Sequence, residues 1–349
     1  MKRGIFATTL ILIILAALAF DFGFYETYLR RPGSKSENVP LTVEPGTGVK
    51  AIAAELKNKG AIRSRFIFET YVWISGTQAR FQTGKFYVRS GQSYAKIVKQ
   101  LTSPGVSERE ITLLEGWGIR EMAEYLKRQG IAEVEDFYRI AGTPATDYRN
   151  DRDAFRSKDF SQEFAFLAGR PDYVSLEGYL FPDTYRIPLE VTAEDIVRVM
   201  LKNFDRRINQ ELRAEAESRG RTLFEVITLA SIIEREVRAD ADRALVSDIL
   251  WRRLDAGMPL QVDSSVNYLT GKKTPSISFD DREIDSPYNT YKYPGLPLGP
   301  IGNPGLSSIL AAIRPKTNNY WYFLAGTDGV IRYGRTLEEH GENRVLYLR

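Results

Sequence analysis

Apolar residues fill the chain almost without a break over positions 5–20, directly after a basic pair at positions 2 and 3. With the aromatic residues that follow, this run approaches the roughly 20 residues that a helix needs to cross a bilayer. Bulky residues stand where a signal peptidase would need small ones, which favours a retained anchor over a cleaved signal peptide. Residues 1–25 are therefore predicted as a cytoplasmic tip and transmembrane helix with the N-terminus inside the cell, and residues 26–40 as an extended linker.

The pattern of apolar and polar positions repeats along the next part of the chain. Residues 42–62 and 112–131 each combine a short strand, a glycine turn and a helix with apolar residues at i, i+3, i+4 and i+7. A third, shorter copy occupies residues 89–101. Because one such unit cannot bury its own apolar face, we expect residues 41–106 to form a single small α/β domain.

The remaining residues, 107–349, mix helix and strand signals and are predicted to form a larger α+β domain. Apolar residues spaced by four predict a helical stretch over 192–219. Residues 145–175 are polar and aromatic without a clear period, which predicts a surface excursion. Near the C-terminus, the apolar runs around the glycine turn within 320–333 predict a β-hairpin.

One segment of this larger domain, TLFEVITLASIIEREV at 222–237, is apolar on nearly every side and predicts a deeply buried helix. Thr222 and Glu225 predict a capping box at its start. Glu234 continues one of the buried stripes, and small residues one turn earlier leave space beside it. Burial disfavours the charged form of a carboxyl, and a carboxyl that keeps its proton can act as a general acid.

Two alternatives stay open for this carboxylate from the pattern alone. Glu234 could form an ion pair with a cation such as Arg238 or Arg243, which would make it a structural residue. Glu236 lies seven residues after Leu229 and is placed similarly on the helix, so periodicity does not choose between the two glutamates.

The composition of the chain limits the kinds of catalytic and metal-binding site that it can form. The chain of 349 residues has no Cys and one His, His340. Thiolate nucleophiles, Cys-ligated metals and multi-His metal sites are therefore excluded, and a Ser-His-Asp triad is disfavoured. The 48 Lys and Arg nearly balance the 45 Asp and Glu, so charge does not indicate a nucleic-acid partner. No metal or cofactor is predicted, and catalysis would rest on carboxylates, amides, hydroxyls, Lys, Arg or Tyr.

Loops rich in Gly and Pro follow the apolar helix, and tyrosines beside Asn and Thr at 288–291 would suit the lining of a sugar site. Several strings in this order resemble the YceG-like (MltG) endolytic murein transglycosylase family, as do the single anchor and the LysM-like repeat. Leu298 departs from the family pattern, which usually has a second Pro there, and so does the pair Ser264-Ser265. The matching strings are EGYLFPDTY at 177–185, LASIIE at 229–234, LQVDSSV at 260–266, SPYNTY at 286–291 and GLPLGPIGNPG at 295–305.

This resemblance implies a LysM-like domain followed by a catalytic domain that cleaves the MurNAc-β-1,4-GlcNAc bond of peptidoglycan and leaves a 1,6-anhydro end. It assigns the catalytic acid and base to Glu234 rather than Glu236. It also implies a single-pass protein of the bacterial cell membrane that cuts nascent glycan strands outside the cytoplasm, with penicillin-binding glycan synthases as expected partners. The candidates for orienting the sugar are Gln261, Asp263, Tyr288 and Asn289.

Two other functions remain alternatives. A non-catalytic tether could use the LysM-like repeats to bind the wall, and Glu234 would then be ion-paired within a closed core. A muramidase-type hydrolase would need a second carboxylate, for which Asp263 is the candidate.

Overall fold

The computed structural model describes residues 38–103, 108–272 and 277–348. The predicted anchor at 1–25 and most of the predicted linker lie outside these residues. Over the described ranges, no helix is both long enough and apolar enough to cross a membrane. Helices and small two-stranded sheets alternate along the chain, which confirms the α+β class.

The strands and helices can be given in chain order. A short 3-10 helix, Ala165–Gly169, precedes β4. The elements are β1 (Asn38–Val43), α1 (Val49–Asn58), α2 (Arg65–Ile74), β2 (Gly84–Arg89), α3 (Tyr94–Thr102), β3 (Glu108–Thr112), α4 (Ile119–Arg128), α5 (Val134–Ala141), β4 (Thr184–Pro188), α6 (Ala193–Arg207), α7 (Gln210–Ser218), α8 (Leu223–Glu236), α9 (Asp240–Asp255), α10 (Asp263–Thr270), α11 (Phe279–Arg282), α12 (Leu306–Ile313), β5 (Tyr322–Ala325), β6 (Ile331–Gly334) and α13 (Leu337–Tyr347).

The chain divides into two compact units. The smaller unit ends at Glu110 and also includes Arg186–Glu190, whereas the larger unit comprises Ile111–Tyr185 and the chain from Val191 onward. The division falls within the paired strands β3 and β4. Each unit therefore has a core of its own.

In the smaller unit, β1 pairs antiparallel with β2, with Val43 opposite Gly84. Buried and exposed residues alternate along β1, so one face of this ribbon is turned toward the core. Helices α1, α2 and α3 contribute their apolar stripes to the same core. Its members include Leu41, Ile52, Leu56, Phe68, Val72, Ile97 and Leu101.

Helix α8 forms the centre of the larger unit. It packs against α7, α9, α10 and α12, and its residues from Val226 to Ile233 are all buried. The predicted capping box is present: Glu225 N donates to the Thr222 hydroxyl at 3.2 Å, and Thr222 N donates to the Glu225 carboxylate at 2.8 Å. The helix is thus fixed from its first turn, and Glu234 falls in its last turn.

The predicted helix over 192–219 is instead two helices, since α6 ends at Arg207 and α7 begins at Gln210. The Asn209 side chain accepts a hydrogen bond of 3.1 Å from Leu212 N and so caps a new helix. Ile208 leaves the helical conformation but stays buried. The spacing of apolar residues therefore continues through the break, so the pattern did not predict that the helix is interrupted.

The prediction of a surface excursion over 145–175 is wrong for four of its six aromatic residues. Tyr148, Phe160 and Phe166 are buried, and the Phe166 ring stacks on Phe204 with centroids 4.8 Å apart. Irregular backbone here carries core side chains, which periodicity cannot detect. The predicted C-terminal hairpin is present as the antiparallel pair β5 and β6.

Candidate active site

The Glu234 carboxylate is held at both oxygens. Oε1 lies 3.1 Å from Nη2 of Arg243, in the first turn of α9. Oε2 accepts a hydrogen bond of 3.0 Å from Gly305 N, immediately before α12. The side chain is 7% exposed. The ion pair with Arg243, one of the two alternatives for Glu234, is therefore present and fixes the direction of the carboxylate.

Arg243 does not serve Glu234 alone. Its Nη1 lies 3.2 Å from Asp240 Oδ1, and its Nε donates to the Val237 carbonyl at 3.4 Å. The guanidinium side chain is 8% exposed, so water screens its attraction to Glu234 only weakly. Because Arg243 is shared with Asp240, its charge is only partly directed to the Glu234 carboxylate.

Glu115 brings a second carboxylate to the same place. A Cβ at Gly305 would collide with the Glu115 carboxylate, and the same glycine donates its N–H to Glu234. A Cβ at Gly116 would lie 3.5 Å from Glu234 Cγ. Two glycines thus let Glu115 and Glu234 approach one stretch of backbone.

The charge of Glu234 affects the ionisation of Glu115. Loss of hydration and then the negative charge of Glu234 raise the pKa of Glu115, while Arg243 acts in the opposite direction. A neighbouring negative charge disfavours the ionised form of a carboxyl, so Glu115 keeps its proton to a higher pH than an isolated glutamate does. A protonated carboxyl is thus available next to the Glu234 carboxylate.

A third glutamate, Glu177, is buried completely beside this site. Ile119 N donates to both carboxylate oxygens at 3.0 Å, the Tyr268 hydroxyl donates at 3.0 Å and Asn303 Nδ2 donates at 2.7 Å. Burial nevertheless raises the pKa of Glu177 to about 7. These bonds tie the start of α4, α10 and the loop before α12 to one carboxyl, so Glu177 orders the surroundings of the site.

Asn303 links that cluster to the Glu234 site. Its Oδ1 accepts from Gly178 N and Leu180 N at 2.9 Å, and its Nδ2 also donates to the Trp117 carbonyl at 3.0 Å. The Asn303 carbonyl accepts from Gly116 N at 2.8 Å. Residues 115–118 and 302–305 are therefore held together by a fully buried amide.

The structure separates the two glutamates that periodicity left equivalent. Glu236 accepts a hydrogen bond of 3.3 Å from Ser264 N at the start of α10, and burial raises its pKa. Asp263 adds to this shift and accepts a hydrogen bond from the Tyr291 hydroxyl. The carboxylate that accompanies Glu234 is therefore Glu115, whereas Asp263 accompanies Glu236.

Gln261 is an exposed residue with a left-handed backbone, φ +52°. Its N–H donates to the Thr290 carbonyl at 3.2 Å, which ties the chain before α10 to the loop at 286–291. A non-glycine residue held in this conformation is uncommon and frequently belongs to a functional site. Its side chain is free to meet a ligand from solvent.

Tyr288 and Asn289 are both buried in that loop, at 1% and 0% exposure. The Asn289 amide donates to the carbonyls of Arg282 and Ile284 at 2.8 Å and accepts from Tyr291 N at 3.0 Å. A sugar would reach neither side chain without displacing the loop. Their part in substrate binding stays a prediction, and their contacts here are those of a turn.

A separate cavity of about 430 Å³ lies at the opposite end of α8, where Thr222, Phe166 and Arg213 contribute to its wall. Twelve residues of helix, about 18 Å, separate Thr222 from Glu234, so the cavity does not contain the carboxylate pair. Within the described residues, no group of three His, Cys, Asp or Glu side chains could hold a metal ion.

The sequence of this chain is similar to those of known proteins. The sequence model of the YceG-like family matches residues 41–345. The chain belongs to the YceG-like family.

Two curated relatives in this YceG-like group carry the name endolytic murein transglycosylase. That of Bacillus subtilis (strain 168) is 33% identical over 319 residues, which are 89% of this chain and 85% of the relative. That of Streptococcus pneumoniae serotype 2 (strain D39) is 28% identical over 355 residues, with 95% of this chain and 63% of the relative covered. A solved structure, the putative YceG-like protein of Listeria monocytogenes, matches with a TM-score of 0.56 and 28% identity, over 88% of this chain and 99% of that one.

The sequence reasoning missed Glu115, Glu177 and Asn303. Glu115 stands in a segment that was interpreted only as a repeat with a core stripe. Glu177 and Asn303 belong to strings that carried the family resemblance, but nothing in their local pattern indicated a buried carboxyl and its amide partner. The sequence did contain one signal for this site, the glycines Gly116, Gly118 and Gly305. Glycine is favoured where the backbone approaches other groups closely.

Proposed function

We propose that this protein is a membrane-anchored lytic transglycosylase that cleaves peptidoglycan glycan strands internally. The single observation that supports this most is the carboxylate pair of Glu234 and Glu115, formed in a chain whose relatives are named endolytic murein transglycosylases. The protein acts as a lyase, since it breaks a glycosidic bond without consuming water.

Glu234 is the proposed catalytic acid and base. It protonates the glycosidic oxygen between MurNAc and GlcNAc, and the bond from that oxygen to C1 of MurNAc breaks. As a carboxylate, Glu234 then takes the proton of the MurNAc 6-hydroxyl while that oxygen bonds to the same C1. The products are a 1,6-anhydroMurNAc end and a free GlcNAc 4-hydroxyl, and the acid regains its proton.

The surroundings of Glu234 suit this cycle. Gly305 N and Arg243 orient the carboxylate and stabilise it when it is charged. A tethered hydroxyl has a high effective concentration, which reduces the need for a second carboxylate to activate a nucleophile. Gln261 and Asp263 are the proposed contacts to the sugar outside the acid, with Tyr288 and Asn289 behind them in the loop.

The domain plan belongs to this proposal. Residues 1–25 anchor the protein in the cell membrane, 26–40 link the anchor to a LysM-like domain at 41–106, and 107–349 form the catalytic domain. The anchor would confine the site to the layer where new strands leave penicillin-binding glycan synthases, which are the proposed partners. The protein would thereby end the elongation of those strands.

The decisive experiment is a mass analysis of products from isolated glycan strands digested with the full-length protein. Fragments one water lighter than hydrolysis products are expected from the wild type. Glu234→Gln should give none of them, while the matched variant Glu236→Gln, two residues along the same helix, should still release them. Thermal unfolding of each variant controls for a loss of fold.

Other outcomes would replace the proposal. Full-mass reducing ends would indicate a muramidase-type hydrolase and would make Glu115, and then Asp263, the candidates for its second carboxylate. Binding of strands without cleavage by a folded protein would indicate a wall tether. Equal activity in Glu234→Gln and wild type would remove Glu234 from the chemistry.

A further inference from the structure

The smaller unit has an apolar stripe that its own core does not use. Helix α2 buries Phe68 and Val72, whereas Phe66, Trp73 and Ile74 are 77%, 71% and 72% exposed. The last three lie at i, i+7 and i+8 and so share one face of the helix. We call Phe66, Trp73 and Ile74 the outer stripe. Single exposed apolar residues are common, but a face that combines two large aromatic side chains and an isoleucine indicates a binding surface.

The same unit is strongly basic. Residues 38–103 contain ten Lys and Arg and three Glu, an excess of seven positive charges in a chain whose net charge is +3. All ten basic residues are exposed. Arg65 directly precedes the outer stripe and Arg80 follows the end of α2. Three of these basic residues form ion pairs: Lys59 with Glu55, Arg65 with Glu69, and Lys85 with Glu190 of the same unit. Within 38–103 the excess of seven positive charges remains.

Exposed aromatic side chains on a strongly basic unit are suited to the surface of an anionic bilayer. Trp and Phe rings partition to the level of the lipid headgroups. Each Lys or Arg held near an anionic surface strengthens binding about fivefold. An uncharged glycan would account for the rings of Phe66 and Trp73 but not for the excess of basic residues.

The short segment between the proposed anchor and β1 would keep this unit near the membrane surface. Strand β1 begins at Asn38, thirteen residues after the proposed anchor ends at position 25. An extended chain of that length spans at most about 45 Å. The inference rests on the proposed function in this one respect, because the anchor supplies the proximity.

We propose that the outer stripe and the exposed cations of this unit dock it onto the extracytoplasmic face of the cell membrane, through anionic phospholipid headgroups. Docking holds the unit against the bilayer instead of leaving it at the end of a free tether. Phe66, Trp73 and Ile74 enter the headgroup region, and Arg80, which follows α2, contacts phosphates.

A site-directed spin label tests the depth of the stripe. The chain has no Cys, so Thr70→Cys gives a single labelling site one turn from both Phe66 and Trp73. The full-length protein is placed in vesicles of phosphatidylcholine with and without one third phosphatidylglycerol, and label accessibility to oxygen and to a water-soluble nickel chelate is compared. The label at position 70 should be membrane-like in anionic vesicles and largely aqueous in neutral ones. A label at Ala95→Cys, an exposed position of α3, is the matched control and should stay aqueous in both.

The variant Phe66→Ser/Trp73→Ser leaves the buried face of α2 intact and should lower the membrane-inserted fraction of the position 70 label about tenfold. Docking is overturned if that label is as aqueous as the Ala95→Cys label in anionic vesicles. Equal insertion in both vesicle types overturns the role of anionic headgroups, and protection that needs added glycan strands assigns the stripe to the wall. Alkaline extraction of the same vesicles separates the two failures, because a missing anchor releases the protein whereas missing docking does not.

Discussion

Glu177 and Glu234 are both bound by the loop at 302–305, yet their surroundings differ in kind. Glu177 is fully buried, and its hydrogen-bond donors are the neutral groups of Ile119, Tyr268 and Asn303. Glu234 keeps 7% of its side chain exposed and has Arg243 on one oxygen and the backbone of Gly305 on the other.

The difference shows that burial alone does not identify a catalytic acid. The pKa of Glu177 is raised to about 7, but its donors occupy both oxygens and no substrate oxygen has access to them. Glu234 is 7% exposed, lies near Glu115 and has one charged and one backbone hydrogen-bond donor, one on each oxygen. The first group is suited to holding elements together, and the second to chemistry.

The largest effect on this comparison is expected from Glu234→Gln. An amide cannot donate and retrieve the proton, so kcat should fall by about 10³-fold, within the range that general acid–base catalysis contributes. The thermal midpoint should also fall, because the amide can still accept from Gly305 N but leaves the buried Arg243 without its charged partner. Strand cleavage and thermal unfolding are measured side by side. A large loss of stability with proportionate activity would make Glu234 a structural residue like Glu177.

Changing pH should act mainly on Glu177. Its folded pKa of about 7 lies above the usual glutamate pKa of 4.5, so its contribution to stability is fully present below pH 4.5 and is lost as pH rises through 7. A shift of this size corresponds to about 3 kcal/mol in the free energy of unfolding. Urea unfolding at pH 5, 6, 7 and 8 measures it.

The control for that experiment is Glu177→Gln, which keeps the shape but cannot ionise. Its unfolding free energy should vary less with pH than that of the wild type over the same range. Parallel curves for the two proteins would mean that another group causes the dependence.

Gly305→Ala should damage the site more than the fold. The added methyl would collide with the Glu115 carboxylate and displace it from Glu234. We expect activity to fall about tenfold. Gly302→Ala is the comparison variant, because its methyl would meet the Arg235 side chain and the Gly116 carbonyl instead. Equal losses in both variants would indicate a general disturbance of the loop.

The smallest effect is expected from Glu115→Gln. The amide keeps the shape of Glu115 but cannot ionise, so any part of the kcat/KM profile that follows the raised pKa of Glu115 should be lost. Activity at acidic pH should fall only a few-fold. An unchanged profile would show that the ionisation of Glu115 does not affect the reaction.

The sequence predicted the parts of the site that lie close together along the chain. The apolar stripe of α8 left Glu234 and Glu236 as candidates, and the family resemblance chose Glu234. Arg243 is nine residues from Glu234 and was named as one of its possible partners. Gly305 and Glu115 could not be found in this way, since they come 71 residues after and 119 residues before Glu234 and only the folded loops bring them near.

For Tyr288 and Asn289 the local sequence was not enough. A string of Tyr, Asn and Thr has the same composition whether it lines a cleft or closes a turn. Here the side-chain amide of Asn289 donates hydrogen bonds to loop carbonyls.

The fold was predictable for regular strands and helices that turn one face toward a core. The alternation in β1 and the stripe of α8 each follow from one repeating contact with a core. The break at Asn209 and the buried rings of Phe160 and Phe166 were not predictable, because irregular backbone places those side chains without a period.

The hydrogen bond from Gly305 to Glu234 also sets an order of events during synthesis. A chain made from its N-terminus exposes Glu234 before Gly305 exists, and Asn303 must join Glu177 across 126 residues. Contacts of such sequence separation form late and slow folding. The hydrogen bonds that orient Glu234 and Glu177 are therefore absent from a nascent chain until residues 303–305 have been added.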